Sequence, residues 1–116
     1  MFKFENLKVW KKALSLTKTI HDLTRKFPKE ELFILTAQIK RAADSVGLNI
    51  AEGSTGQSNA EFRLFLGYSI RSALEVVACL FIGEKRGVIR AEDFNRITAE
   101  AETLIKMLQA LRKSLK

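Results

Sequence analysis

The sequence predicts an all-α protein, an up-down-up-down antiparallel four-helix bundle, and three observations lead to this fold class. Apolar residues recur every three or four positions along most of the chain, which is the period of an amphipathic helix. The breaks between these stretches carry explicit turn and capping signals. Connections of about three to eight residues place consecutive helices antiparallel. A chain of 116 residues with 47% hydrophobic content is expected to form one domain, covering residues 1–116, with a single core.

The four predicted helices cover residues 6–26, 29–52, 58–83 and 91–114. Asn6 is a candidate N-cap of the first helix. That helix closes at Phe27-Pro28, because the residue before a proline is pushed out of the α region. The second helix is expected to begin near Pro28 or Lys29 and to end at Gly53, with residues 54–57 as a loop.

The third predicted helix opens with Ser58-x-x-Glu61, the pattern of a capping box. Its apolar residues spread around most of its circumference, from Phe62 on one face to Leu64 and Ile82 on another. One bundle core cannot cover all of them, so a homo-oligomer is expected in which a second copy covers the rest. The alternative is that long side chains of the first and fourth helices cover this surface.

The fourth predicted helix lacks a good N-cap but has a regular apolar seam. The seam residues are Phe94, Ile97, Ala101, Leu104, Leu108 and Leu111. Their spacing of three or four residues predicts one face packed against the other helices.

Positive charge is concentrated on the first helix. Residues 1–29 hold eight Lys or Arg residues against Glu5 and Asp22, whereas the whole chain has a net charge of +7. A basic helix face can contact phosphates, and an oligomer would repeat it. The candidate nucleic-acid contacts are Lys8, Lys11, Lys12, Lys18, Arg25 and Lys26. The alternative interpretation is a solvated face that confers solubility.

The second predicted helix carries a polar ladder beside its apolar seam. The seam is Leu35, Ile39, Ala42, Val46 and Ile50, and the ladder is Gln38, Arg41, Ser45, Asn49 and Glu52. Thr36, Lys40 and Gly47 are then expected on the solvent side. A polar ladder next to a seam predicts an interhelical network or a subunit contact, with Arg41 pairing with Glu75 of the third helix. The alternative is a partly wetted flank of the core.

Catalytic and metal-binding signals are sparse. His21, expected to be half-buried, and Cys79 are the chain's lone histidine and lone cysteine, and no zinc, di-iron or phosphate-loop motif accompanies them. No cofactor is therefore expected. The longest apolar run has seven residues, and the first residues lack the apolar core of a signal peptide. These features predict a cytoplasmic protein without a membrane partner.

Four segments together resemble the family of bacterial four-helix-bundle proteins encoded within intervening sequences of 23S ribosomal RNA genes. The segments are Phe4-Glu5-Asn6-Leu7-Lys8-Val9-Trp10, Phe27-Pro28-Lys29-Glu30-Glu31, Gln38 through Gly53, and Glu61 through Glu75. Two departures are His21, where the family often has tyrosine, and Arg71, where glycine is usual. The resemblance implies a left-handed bundle that assembles into a homopentameric ring, without a settled biochemical activity.

The resemblance extends to a related branch, the accessory variability proteins of diversity-generating retroelements. That branch implies a basic pentameric barrel that binds nucleic acid and a reverse transcriptase.

Three hypotheses follow. The favoured one is a non-enzymatic oligomer that binds RNA or DNA through the basic face of the first helix. The second is a homo-oligomeric protein-interaction scaffold that does not bind nucleic acid. The third is an enzyme with a shared carboxylate site, such as Glu52 with Glu75.

Overall fold

The computed structural model describes residues 1–56 and 58–116, and four long helices account for most of them. The helices are α1 (Lys8–Thr24), α2 (Ala37–Ser54), α3 (Asn59–Lys85) and α4 (Ala91–Ser114). Each helix packs against the next in chain order, and α1 also packs against α4, which closes a bundle measuring 43 × 22 × 20 Å. No strand occurs within the described ranges. The predicted all-α four-helix bundle is confirmed.

The chain enters α1 through a short 3-10 turn, Lys3–Asn6, rather than through a cap at Asn6. The Glu5 carboxylate accepts a hydrogen bond from the Phe2 N–H at 2.6 Å, and the Phe4 ring packs edge-on against Trp10 at 4.6 Å between centroids. These contacts turn the chain before the helix begins, so Leu7 takes the N-cap position. The predicted N-cap at Asn6 is wrong.

The segment between α1 and α2 is helical but is not an α-helix, as had been expected from residue 29 onward. Lys29–Glu31 form a 3-10 turn, and Leu32–Thr36 form a π-helix that leads directly into α2. The carboxylate of Glu31, whose side chain is only 11% exposed, accepts a hydrogen bond at 3.1 Å from Arg86 beyond the end of α3. This ion pair holds the irregular start of the second helical stretch against α3.

The core is built from the apolar seams of all four helices. Its completely buried large side chains include Leu16, Ile20, Ile39, Ile50, Leu66, Leu80, Ile97, Leu104 and Leu108. Ser69, which is 0% exposed, places a hydroxyl in this core, and the hydroxyl donates a hydrogen bond to the Val46 carbonyl at 2.9 Å. Ile97, Leu104 and Leu108 belong to the predicted seam of α4 and are among these buried side chains, so that seam faces the core.

α2 buries two sides rather than one, because it lies between α1 and α3. Thr36 and Gly47 are buried, and a Cβ at Gly47 would lie 3.4 Å from the Trp10 ring of α1. The expectation that Thr36, Lys40 and Gly47 form the solvent side is wrong for Thr36 and Gly47, while Lys40 is partly exposed. The exposed side of α2 carries Gln38, Arg41 and Glu52 of the polar ladder together with Asp44 and Leu48, whereas the ladder residues Ser45 and Asn49 are only partly exposed.

α2 and α3 join through a tight connection in which Gln57, part of the predicted loop, lies outside the described residues. α2 ends at Ser54, one residue beyond the predicted Gly53. Ser58 is the N-cap of α3, because its Oγ accepts a hydrogen bond from the Glu61 N–H at 3.1 Å. The predicted start of the third helix is confirmed. α3 ends at Lys85, and Gly87 follows it with a φ of +76°, a left-handed conformation that suits glycine.

α3 has the length and mean hydropathy of a helix that could cross a membrane. Its most apolar window has a mean hydropathy of 1.6, and 39% of that window is buried within the bundle. Core helices of soluble bundles have the same character. The exposed part of α3 carries Arg71 and Glu75, so its surface is not uniformly apolar.

Candidate nucleic-acid interface

The six basic residues predicted to contact nucleic acid all lie on the exposed outer side of α1 or just beyond its end. They are Lys8, Lys11, Lys12, Lys18, Arg25 and Lys26. The opposite side of α1 supplies Val9, Ala13 and Leu16 to the core, which fixes the outward direction of the lysines. We call this outer side the α1 basic surface.

In the C-terminal half of the α1 basic surface, Lys18 and Lys26 each contact a carboxylate, whereas Arg25 has no ion pair within the described residues. Lys18 pairs with Asp22 at 2.9 Å, and Lys26 contacts Asp93 of α4 at 3.5 Å. Asp93 also accepts a hydrogen bond from Arg96 at 3.0 Å. The hydrogen bond from Lys18 lowers the pKa of Asp22, and the hydrogen bond from Arg96, helped by Lys26, lowers the pKa of Asp93. These two lysines are therefore less available to phosphates than their positions in the sequence indicated.

The N-terminal half is different. Lys8, Lys11 and Lys12 are exposed, and none has a carboxylate within ion-pair distance among residues 1–56 and 58–116. Because α4 runs antiparallel to α1, its last turns lie beside these lysines, where Met107 and Ala110 approach Lys8.

A groove between the start of α1 and the end of α4 runs beside the three lysines. One section, of about 260 Å³, is lined by Leu7, Lys8, Val9, Met107, Ala110 and Leu111. The neighbouring section, of about 380 Å³, is lined by Lys8, Lys11, Lys12, Ser15 and Met107. The two shallow sections share Lys8 and Met107, so they adjoin each other, with apolar side chains on the floor and lysines along the edge. We call the two sections together the α1/α4 groove.

The polar ladder of α2 meets α3, but not through the expected ion pair. Gln38 donates to the Glu75 carboxylate at 3.4 Å, and the Ser72 hydroxyl donates to Ser45 Oγ at 2.9 Å. Asn49 donates to the Ser45 carbonyl at 2.9 Å. Two separate side-chain hydrogen bonds therefore join the ladder to α3, one at Gln38 and one at Ser45.

Arg41 and Glu75 do not form the predicted buried pair. Both are exposed, and no ion pair joins them within the described part of the chain, because Glu75 lies beside Gln38 instead. Glu52 is also exposed and lies 14 residues farther along α2 than Gln38, which corresponds to about 21 Å of helix. Glu52 and Glu75 of one chain therefore cannot share a carboxylate site.

The exposed side of α3 is largely apolar. Leu64, Tyr68, Leu74, Phe81 and Ile82 are each at least 40% exposed. A line of positions spaced alternately by four and three residues runs along this side: Leu64, Tyr68, Arg71, Glu75, Ala78 and Ile82. This spacing is typical of a helix that packs against a second helix along one seam. We call this line, with Leu74 and Phe81 beside it, the α3 stripe.

The two residues with potential nucleophilic or acid–base chemistry lie apart. Cys79 is buried, and burial raises the pKa of its thiol, which disfavours the reactive thiolate. His21 is exposed rather than half-buried as expected, and it borders a shallow groove between α1 and α2 with Lys18, Lys40 and Asp44. Within the described ranges, no group of three or more His, Cys, Asp or Glu residues could hold a metal ion.

Comparison with solved structures identifies the same fold in a protein of undetermined function. A crystal structure of a protein with unknown function from the S23 ribosomal protein family of Bacteroides thetaiotaomicron superposes with a TM-score of 0.85 and is 26% identical in sequence. The match covers 91% of this chain and 99% of that one. No curated protein matches the sequence. Residues 5–110 match the sequence pattern of a family that spans nearly the whole bundle, and the chain belongs to that family, the 23S rRNA-intervening sequence proteins.

Proposed function

We propose that this protein is a non-enzymatic homo-oligomer that binds the phosphate backbone of RNA or DNA through the N-terminal half of the α1 basic surface. The observation that carries the proposal is the set of exposed lysines Lys8, Lys11 and Lys12, which lack carboxylate partners in the described parts of the chain. The C-terminal half contributes less, because Asp22 and Asp93 already neutralise its lysines.

The geometry suits a polyanion rather than a small ligand. Lys8 and Lys12 are one helical turn apart, about 6 Å along the axis. A nucleic-acid strand carries one phosphate for about every 3.4 Å of duplex axis, so lysines about 6 Å apart span roughly two phosphate spacings and can each reach a phosphate of one strand. Binding of this kind releases counterions, and its affinity falls steeply as the salt concentration rises. It contains no base-reading contact, so it favours no sequence.

Oligomerisation is the second part of the proposal, and the α3 stripe supports it. Leu64 is 50% exposed and Ile82 is 44% exposed, on a helix whose other side is already in the core. A second copy would remove this apolar surface from water, a favourable change of about 25 cal/mol per Å². Arg71 and Glu75, which lie on the stripe, would supply complementary charges to set the register.

The test is fluorescence anisotropy of labelled structured RNA and duplex DNA at increasing salt concentration. Wild type should bind at low salt, and the variant carrying Lys8→Glu, Lys11→Glu and Lys12→Glu should lose binding. The matched control replaces Lys29, Lys85 and Arg90 with Glu, the same change in charge at the opposite end of the bundle. The control should bind with a salt slope close to that of wild type, since those residues lie outside the proposed contact.

The alternative is a homo-oligomeric scaffold that binds other proteins, with a reverse transcriptase as the partner that the family resemblance implies. The α3 stripe favours it equally, because oligomerisation does not depend on the lysines. If wild type binds no nucleic acid at low salt yet forms an oligomer, the scaffold replaces the nucleic-acid proposal. If both charge variants lose binding equally, the contact is a diffuse field rather than a surface on α1.

A further inference from the structure

The α1/α4 groove has a feature that phosphate binding alone does not use, namely its apolar floor. Leu7, Met107 and Leu111 are partly buried against the core and line the section of about 260 Å³. Ala110, also on the floor, is exposed. Lys8 lines both sections, so the cationic edge lies directly beside the apolar floor.

A duplex cannot make use of such a floor. Its bases are stacked and paired, and only their edges are reachable within the grooves of the helix. A single strand exposes the flat faces of its bases, which gain free energy when they leave water for an apolar surface. Methionine adds to this gain, because its polarizable sulfur makes favourable contacts with aromatic rings. Met107 lies in both sections of the groove, where a base next to a lysine-bound phosphate would reach it.

We propose that the α1/α4 groove binds single-stranded nucleic acid, with phosphates on Lys8, Lys11 and Lys12 and at least one base against Met107 and Leu111. This inference rests on the proposed function and narrows its ligand from nucleic acid in general to unpaired strands. The lysine edge supplies the charge complementarity, and the floor supplies the preference for exposed bases.

Carboxylates limit the length of this site. Glu100 lies on α4 two turns before Met107, about 10 Å along the helix. One of its oxygens accepts a hydrogen bond from Thr19 of α1 at 3.2 Å, and the other is buried without a partner in the described structure. Asp93 lies two further turns along the same side of α4 and contacts Lys26. A polyanion following the seam between α1 and α4 would meet these carboxylates, so the strand is expected to contact only the Lys8 end.

The experiment compares three ligands of equal length by fluorescence anisotropy: a thymidine strand, an abasic strand with the same phosphates, and a thymidine–adenosine duplex. Wild type should bind the thymidine strand about two to thirteen times more tightly than the abasic strand, the range expected of one contact between sulfur and an aromatic ring. In Met107→Gln this preference should disappear while the affinity for the abasic strand stays unchanged.

Two further variants keep the test independent of folding. Ala110→Gln places a polar side chain on the floor at an exposed position, so it should also reduce the preference without disturbing the core. Leu14→Gln makes a similar exchange at a 49% exposed position that borders the groove between α1 and α2, and it should keep the wild-type preference.

The outcomes separate this inference from the proposed function. Equal wild-type binding of the thymidine and abasic strands would overturn the inference and leave backbone binding intact, as would tighter binding of the duplex. Absence of binding to all three ligands would overturn both. A preference that survives in Met107→Gln and Ala110→Gln would also overturn the inference, because the bases would then bind elsewhere.

Discussion

Glycine at position 53 allows α2 and α3 to come close together at the end where they connect. A Cβ placed on Gly53 would lie 2.5 Å from the Phe65 Cβ and 3.1 Å from the Phe62 ring. The first distance is shorter than real carbon contacts, and its partner is fixed to the backbone of α3, so a rotamer change cannot relieve it. Gly53 therefore serves close helix packing rather than the end of the helix.

We expect Gly53→Ala to lower the free energy of unfolding by about 1–3 kcal/mol, the usual cost of overpacking a core. Gly67→Ala is the matched control, because its Cβ would meet only the Arg112 guanidinium at an ordinary 3.5 Å. Alanine is a better helix former than glycine, so the control should be neutral or stabilising by up to about 1 kcal/mol. Urea unfolding followed by circular dichroism measures both. Equal effects in the two variants would contradict the close approach at Gly53.

Residue-level burial was the least predictable feature. Gly47 was expected in solvent and is buried under Trp10, because a glycine has no side chain whose polarity could reveal its neighbour. His21 and Thr36 were also misplaced, since their exposure depends on where the adjacent helix passes. The apolar seams of α2 and α4 were predictable because several residues at helical spacing specify one direction together.

Among the helices, the contact between the end of α1 and the start of α4 depends on the charge of one carboxylate. Asp93, whose side chain is 16% exposed, lies between Lys26 and Arg96, and these neighbours lower its pKa below 3.8. A lowered pKa means that the folded state favours the ionised form. The stabilisation is then present at neutral pH and is lost as the pH falls through the lowered pKa.

Asp93→Asn should therefore be less stable than wild type at pH 7, by on the order of 1 kcal/mol for a pair with exposed cations. The difference should be constant between pH 7 and pH 5 and should shrink below about pH 3.8. Unfolding in urea at several pH values measures it. Asp22→Asn removes a fully exposed pair within one helix and should show a smaller difference. A difference that grows towards acid would contradict the predicted direction.

Helix existence was predictable, but helix winding was not. The fourth helix, with ends expected at 91 and 114, has those ends in the structure. The π-helix Leu32–Thr36 has no local sequence signal, and the contacts around it are distant in the chain, since Leu35 packs against Gly83 and Glu31 pairs with Arg86. Both partners lie about fifty residues away along the chain, beyond the range of any capping or propensity rule.

For the whole molecule, the two proposed surfaces lie on opposite sides. The bundle has the order α1, α2, α3, α4 around its axis, with α4 returning to α1. The α1/α4 groove therefore lies across the bundle from the side where α2 meets α3, and the α3 stripe lies on the outer side of α3, diagonally across the bundle from α1. Assembly through the α3 stripe would leave the lysines of every copy accessible. The excess apolar residues of the third helix were visible in the sequence, but their position relative to the lysines required the fold.

The assembly prediction can be tested on this opposite side. Leu64 and Ala78 are both exposed and both lie on the α3 stripe, so Leu64→Glu with Ala78→Glu should leave the core of each bundle intact while placing charges in the contact. Glutamate is a good helix former, which preserves α3. Light scattering should give wild type a mass that is a multiple of 13.1 kDa, and the double variant 13.1 kDa. The melting temperature of wild type should rise with protein concentration, because association stabilises the folded state, and that of the variant should not.

The control is Leu14→Glu, an equally exposed leucine on α1 that lies away from the α3 stripe. It should keep the wild-type mass, since a charge there does not meet the contact. A wild-type mass of 13.1 kDa at micromolar concentration would contradict assembly altogether. An oligomer that survives the double variant would place the contact elsewhere, for example at the π-helix, where Phe33 is 88% exposed. Either result would also change the expected salt dependence of nucleic-acid binding, because the slope depends on how many copies of the lysine surface act together.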